Sequence, residues 1–561
     1  MKKKILMVVS LLAIFHGVTV AGAQDQTGEA KAFNGYTLFS TLNGTTTYLI
    51  DMNGDVVHTW DLDSAAAFST YFLDNGHLLR SASKGGGMGF GMGGFGGGQR
   101  GAAEGGPPGG IGAGGKIQEI DWDGNVVWEY EYSTDTQVPH HDIERMPNGN
   151  ILLVCWDAKS GEEAIAAGRN PEYQTGELHP DAIVEIKPVG DNQWEVVWEW
   201  RVWDHLVQDF DAEKPNYGDV SAHPELIDIN YSESWADAPA QGAGQGNQGG
   251  ARGFGGGGAF GGMGGGMMGG GGRMATSDWT HLNAIDYNEE LDLIVVSSYT
   301  FSEFWVIDHS TTKEEAKGHS GGKHGKGGDL VYRWGNPAAY KQGTNDDQTL
   351  FCPHDIQWIA DGLPGEGHML IFNNGPNRQD GQYSSVEEFI LPLNEEGRFA
   401  MEGKTFSAVT PVWKYVDPND KTSFYGTNIS GAQRLPNGNT LICEGPKGHL
   451  FEVTPDAKTV WEYTSSVSGG TAGGGFGGMG GGRMGQGAGA FGGNGGFGMR
   501  APGNTSTNAA PGGNAGGARR GGGAARGGMG MGGGMANQIF RATRIPADHP
   551  GLKGKTLSPE K

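Results

Sequence analysis

The sequence predicts an all-β protein: a β-propeller of six blades, closed by its C-terminal strand and interrupted by long Gly-rich loop insertions. Three observations predict it. A strand–turn–strand unit with Asn-Gly or Asp-Gly turns recurs, a Val-x-x-aromatic signature occurs six times, and one strand is left over after the last repeat.

The clearest unit runs from His141 to Trp200. His141–Met146 alternates, Pro147-Asn148-Gly149-Asn150 turns, and Ile151–Val154, Ala182–Ile186 and Val196–Trp200 follow as further strands. Period-2 alternation rich in β-branched and aromatic residues marks strands, and Asn-Gly between apolar runs marks a hairpin. Four such antiparallel strands make one propeller blade. Fourth strands carry the signature at Val57–Trp60, Val127–Tyr130, Val197–Trp200, Val331–Trp334, Val412–Tyr415 and Val460–Tyr463. First strands can be placed around Ser69-Thr70, His141, His281, His354 and Ser430, one short of six. The missing one is Ile539–Thr543, so the chain's two ends join in one blade and no edge is left free. The propeller spans 36–545. Two separate β-sandwiches would explain neither the recurring Trp nor the orphan strand.

Three tracts, 84–116, 238–274 and 469–535, consist mainly of Gly with Met, Phe, Ala and Arg. Such composition predicts disorder or transient order. The first falls between the second and third strands of a blade, the others between a fourth strand and the next first strand. Those connections share one side of a propeller; the other side carries tight turns such as Asn53-Gly54, Asp123-Gly124 and Asn437-Gly438.

The start of the chain, basic Lys2-Lys3-Lys4, apolar Ile5–Phe15 and small Ala21-Gly22-Ala23, reads as a signal peptide over 1–23, which predicts a periplasmic, cell-surface or secreted protein. No later run reaches the length of a membrane span, and no cysteine follows the cleavage site to take a lipid, so no membrane insertion is expected. Of 561 residues 105 are Gly and only three are Cys, too few for a disulfide scaffold, so packing of the 15 Trp and 23 Phe must hold the fold. A formal charge of −24 argues against nucleic acid as a partner.

Chemistry is expected at the mouth of the channel. Innermost strands start there, and three adjacent blades place histidine at that position: His140-His141-Asp142, Thr280-His281-Leu282-Asn283 and Pro353-His354-Asp355. Arg378, after a second strand in Asn373-Asn374-Gly375-Pro376-Asn377-Arg378, should bring a guanidinium to the same face. Imidazoles with one Arg suit an anionic tetrahedral group. Three histidines could instead hold a divalent ion, with Asp142 and Asp355 orienting the rings or joining as ligands, but no local metal-ligand spacing is present, and neither metal nor cofactor is expected. His309, His319 and His324 lie in a Gly/Lys-rich loop and His223 precedes Pro224; all four read as solvated. Arginines of the Gly tracts, Arg100, Arg252 and Arg273 among them, would favour anion entry; the same tracts could equally mediate self-association.

These runs resemble the bacterial arylsulfotransferase family. The likeness rests on Asp278–Tyr287, on Pro353-His354-Asp355 with Leu370–Gly375, and on Gly431–Leu441, and covers about Tyr36 to Tyr463 plus the closing strand with Pro550-Gly551-Leu552. It implies an exported six-bladed propeller that moves a sulfuryl group from an aryl sulfate donor to a phenolic acceptor without a nucleotide. It further implies a histidine nucleophile, with other histidines, an Asn and an Arg steadying the sulfate. On the matched runs His354, His281 and Arg378 carry over as catalytic, with His141 beside them and Asn283, Asn374 and His140 as substrate-binding. Two features differ from the family. An additional N-terminal β-domain is missing, and the last blade's first strand, Thr427–Ala432, has no histidine where the family's nucleophile is expected. His354 or His281 would then take that role, or transfer would be direct, or the activity would be lost and only binding kept. From a different class, a non-catalytic surface propeller for adhesion or assembly through its Gly-rich loops is the alternative.

Overall fold

The computed structural model of the chain describes residues 31–467, apart from 43, 85–111, 175, 191 and 232–276, together with residues 537–559. The segment read as a signal peptide and most of the three Gly tracts, including their arginines, lie outside the described residues.

Among the described residues six four-stranded antiparallel sheets form the blades, and two short two-stranded sheets lie in their connections. Blade 1 joins the two ends of the chain: Ile539–Pro546 is its inner strand and pairs with Gly35–Thr41, followed by Thr46–Ile50 and Val56–Asp61. The inner strands of the other blades are Ala66–Phe72, Gln137–Arg145, Leu282–Asn288, His354–Trp358 and Gly431–Arg434. Each packs on the next, and the sixth returns to Ile539–Pro546. The sheet series is thus a closed ring.

Alternating apolar residues on both faces of each blade bury one cluster between every pair of neighbours. Between blades 3 and 4, for example, Leu152, Val154, Ile294, Val296 and Trp305 meet, and between blades 6 and 1, Cys443, Leu450, Phe39 and Ile50. The signature aromatics have a second use, as ties. Trp60, Trp200, Trp413 and Trp461 donate their indole N–H to the backbone carbonyls of Asp121, Gly328, Pro455 and Met52, each in the following blade. In these four outer strands the Trp thus combines apolar burial with a polar link to the next blade.

Near the axis a second set of ties runs from blade to blade. Arg541 donates to the Tyr71 hydroxyl at 2.7 Å, and Tyr71 donates to Asp142. Asp142 accepts the N–H of Ile285, Asp286 that of Trp358, Asp355 that of Ala432, and Gln433 that of Arg544. All six junctions are therefore bridged by an inner-strand side chain.

Arg541, on the closing strand, also reaches across the ring. Its Nη1 donates to Asp142 at 2.9 Å, and its Nε lies 2.6 Å from Asp355 but is not aligned for a hydrogen bond. Burial and Arg541 pull Asp355 in opposite directions, burial prevails, and the carboxyl is pushed up to about 6. Burial likewise opposes the Arg541 charge, yet Asp142 and Asp355 together hold its pKa well above the usual value. Asp142 is therefore the firmer partner.

One reading needs correction. The first Gly tract does not extend to residue 116, because Gly115–Ile120 is the third strand of blade 2 and Gly112 has φ +87° with its backbone against Phe68 and His141. A Cβ at Gly112 would sit 2.8 Å from the Phe68 ring, so these glycines serve close approach.

Replacing Arg541 by Met leaves the buried Asp142 with its neutral donors but without its counter-charge, and removing one partner of a buried ion pair costs about 3–5 kcal/mol. Urea unfolding of Arg541→Met should show that loss, and Arg541→Met combined with Asp142→Asn should recover part of it. Equal stability of wild type and single variant would contradict the tie.

Candidate active site

The histidines stand where inner strands begin, and there the strands do not alternate cleanly. Pairing is interrupted between Pro139 and Ile143, Leu282 and Ala284, and His354 and Gln357. Non-glycine residues at these starts have left-handed φ: Phe68 +86°, His141 +57°, His281 +45°, Asp355 +57° and Ile429 +49°. Each such conformation costs about 1–3 kcal/mol and persists only where surrounding contacts enforce it. The bulges turn side chains of successive blades toward one point.

His141 and His281 meet there, ring centroids 4.6 Å apart. The Tyr299 ring stands between the other pair, 5.1 Å from His281 and 5.6 Å from His354. Phe68 and Phe540, stacked at 4.9 Å, form an apolar wall beside His141.

Each imidazole has its own orienting group. Asp181 accepts from His140 Nε2 at 2.6 Å, so His140 Nδ1 is the acceptor for His141 Nδ1–H at 2.7 Å. The same carboxylate takes the hydroxyl of Thr280 and the N–H of Leu282, and His140 is stacked flat on Trp156. This relay fixes the His141 tautomer and leaves its Nε2 electron pair outward. His281 Nδ1–H donates to Asp278 at 2.6 Å, and Asp278 also accepts from Trp156. Among the described residues no hydrogen bond occupies Nε2 of His141 or of His281. His354 differs. Its Nδ1–H donates to Asn374 Oδ1 at 2.8 Å, while its Nε2 accepts the N–H of Ile429 at 3.2 Å.

The remaining sequence-selected residues are engaged in the scaffold. Asn374 holds Gly426 and Ile429 through its amide while orienting His354. Asn283 donates to the Pro353 carbonyl and accepts from Ser297, tying blade 4 to blade 5. Arg378 bonds the Tyr383 carbonyl and Ser385, and lies over the Phe351 and Tyr383 rings; its hydrogen bonds stay within its own blade. The guanidinium whose charge bears on His141 and His354 is instead Arg541. Asp142 and Asp355 pair with Arg541 rather than orienting imidazoles. His309 is not solvated: it is largely buried between Glu185 and Asp292. A cavity of about 460 Å³ near Tyr173, Asp209, Tyr231 and Lys341 contains none of the mouth residues.

Residues 23–468 match the family model described as Arylsulfotransferase (ASST). The chain belongs to the arylsulfotransferase family. No curated protein matches it at a significant level. Among solved structures it is similar to a protein of unknown function from Bacteroides caccae, at 12% identity over 77% of this chain and 94% of that one, TM-score 0.36. It is also similar to virginiamycin B lyase from Staphylococcus aureus, at 10% identity over 78% and 84%, TM-score 0.32. The β-propeller domain of Myceliophteria thermophila Cps50 (Swd1) gives 10% identity over 77% and 84%, TM-score 0.33.

In this arylsulfotransferase-family chain the three histidines differ in charge. Burial, reinforced by the neighbouring His281, His140 and His354, holds His141 well below the usual histidine range. Burial also lowers His354, to about 3, against the pull of Asn374. Burial acts on His281 in the same sense, but the Asp278 charge and hydrogen bond outweigh it and raise its pKa above 6.5. Burial thus favours the neutral imidazole at His141 and His354, whereas Asp278 favours the imidazolium at His281. Nitrogen-15 spectra of labelled histidine should show no protonation of His354 between pH 8 and 5, and a His281 midpoint above 6.5. In Asp278→Asn burial is opposed only by the smaller effect of the Asp181 charge, so that midpoint should fall; an unchanged midpoint would refute the assignment.

Proposed function

We propose that the protein transfers a sulfuryl group from an aryl sulfate to a phenol at the channel mouth, with His141 as nucleophile and His281 as proton carrier. The observation that carries this reading is the pairing of an imidazole, its Nε2 uncommitted and its Nδ1–H held by His140 and Asp181, with a second imidazole supported by Asp278, ring centroids 4.6 Å apart.

His141 Nε2 attacks sulfur, forming an N–S bond as the S–O bond to the aryl group breaks. The phenolate leaves with the proton from His281 Nε2. An acceptor phenol then gives its proton to the now neutral His281 and attacks the sulfuryl group, and the N–S electron pair returns to His141. Arg541, paired with Asp142, supplies positive potential from beneath, and the Phe68–Phe540 wall offers an apolar face to the aryl ring. His354, with both nitrogens bonded, is a positioning residue that supports the Ile429 segment. That segment is the histidine-free stretch of blade 6, and the nucleophile moves from blade 6 to blade 3. The Lys2-Lys3-Lys4, Ile5–Phe15, Ala21-Gly22-Ala23 start supports export before this chemistry. No helix among the described residues is long and apolar enough to cross a membrane.

The test is phenol release from a nitrophenyl sulfate with and without acceptor phenol. His141→Ala should abolish turnover with every donor. His281→Ala should lose about 10²–10⁴-fold, the usual worth of a general acid, and less with nitrophenyl than with phenyl sulfate, because a stabilised phenolate needs less protonation. The donor step should hold its rate down to below pH 6.5 and fall on the alkaline side as His281 loses its proton. Full turnover by His141→Ala would overturn the reading.

A further inference from the structure

We propose that His205, His319 and Asp329 form a binding site for a first-row transition-metal dication of the zinc class, separate from the mouth. The three offer one ligand atom each within 4.8 Å of one another. His205 follows the outer strand of blade 3, Gln193–Arg201, whereas His319 and Asp329 lie in the connection between Glu303–Asp308 and Tyr332–Trp334 of blade 4. The mouth histidines come from inner strands.

The site is built rather than fortuitous. His205 is fully buried and stacked on Trp200 with 7° between the rings, and Trp200 donates to the Gly328 carbonyl. His205 Nε2 lies 2.9 Å from the carbonyl of Ala316, which can only accept, so Nε2 carries the proton. Nδ1 therefore turns toward Asp329, 2.9 Å away, and His319 Nδ1 approaches the same Asp329 oxygen at 2.7 Å. Two ring nitrogens converge on one carboxylate oxygen, and either extra protons or a cation must lie between them. A ligand histidine that gives its other N–H to a backbone carbonyl is the usual arrangement around a bound metal. The loop leaves room for the ring only because residue 328 is Gly: a Cβ there would lie 2.6 Å from His205 Nε2.

Ligands about 2.0–2.2 Å from zinc in a tetrahedron stand roughly 3.3–3.6 Å apart. The present contacts need to open by about half an ångström, and His319 can supply that motion because its side chain is 61% exposed between Gly318 and Gly321. Its exposure also leaves a fourth position for water. Nitrogen, nitrogen and oxygen donors suit zinc and its neighbours rather than calcium or magnesium. The bound ion would fasten the blade 4 connection over the exposed edge of blade 3, so binding should stabilise the fold and release protons.

Tag-free, chelator-treated full-length protein is titrated with zinc by calorimetry and with cobalt(II) by visible absorption. One equivalent should bind, cobalt should give tetrahedral ligand-field bands, and zinc should raise the Tm. His319→Ala, at an exposed position that tolerates truncation, and Asp329→Asn should each weaken binding at least tenfold, and His281→Ala should leave it unchanged. No saturable binding, equal binding by both loop variants, or loss confined to His281→Ala would overturn the proposal.

Discussion

The guanidinium of Arg541 is the contact on which the rest of the structure depends. It arrives on the last strand, after the longest Gly tract, and pairs with Asp142 of blade 3, Asp355 of blade 5 and Tyr71 of blade 2. A buried ion pair contributes little net stability over an apolar replacement, but it makes every other arrangement costly. Its worth here is geometric. Asp142 also holds the inner strand of blade 4, and Asp355 that of blade 6, so one charge ties ring closure to the register of the five other blades.

That register is what sets the histidines against one another. Asp142 and Asp355 adjoin His141 and His354 in sequence, and their inward turn at the strand bulges sends the neighbouring imidazoles to the mouth. Burial then makes two of the rings poor bases, and Asp278 favours the protonated form of the third. A transfer reaction through an imidazole needs these two states side by side. The positive potential of Arg541 further favours the neutral form of His141. Ring closure and site electrostatics thus share a residue.

The fold was legible because its signals are local. Asn-Gly turns and outer-strand Trp mark each blade, and the orphan Ile539–Thr543 strand had one place to go. Convergence of His141, His281 and His354 followed from equivalent repeat positions. Their partners did not. Asp181 stands on a third strand, 41 positions from His140, and Arg541 reads as one more strand residue until the ring is closed. Left-handed backbone at His141, His281 and Asp355 carries no sequence mark, since Gly is the residue usually sought there. For the same reason Asp142 and Asp355 looked like partners of the adjacent imidazoles, and Arg378 looked free to reach them. His309 reads as solvated because the Gly and Lys around it give no sign of Glu185, contributed by the third strand of blade 3, or of Asp292.

In the proposed reaction sulfur passes through His141. Rapid alkaline quench of the protein turning over an aryl sulfate, followed by peptide mass spectrometry, measures this directly. A single added sulfuryl group is expected on the peptide spanning His140 and His141, assigned to His141 by fragmentation and discharged by an acceptor phenol. A sulfuryl group on His281 or His354, or sustained turnover with none on any histidine, would contradict it.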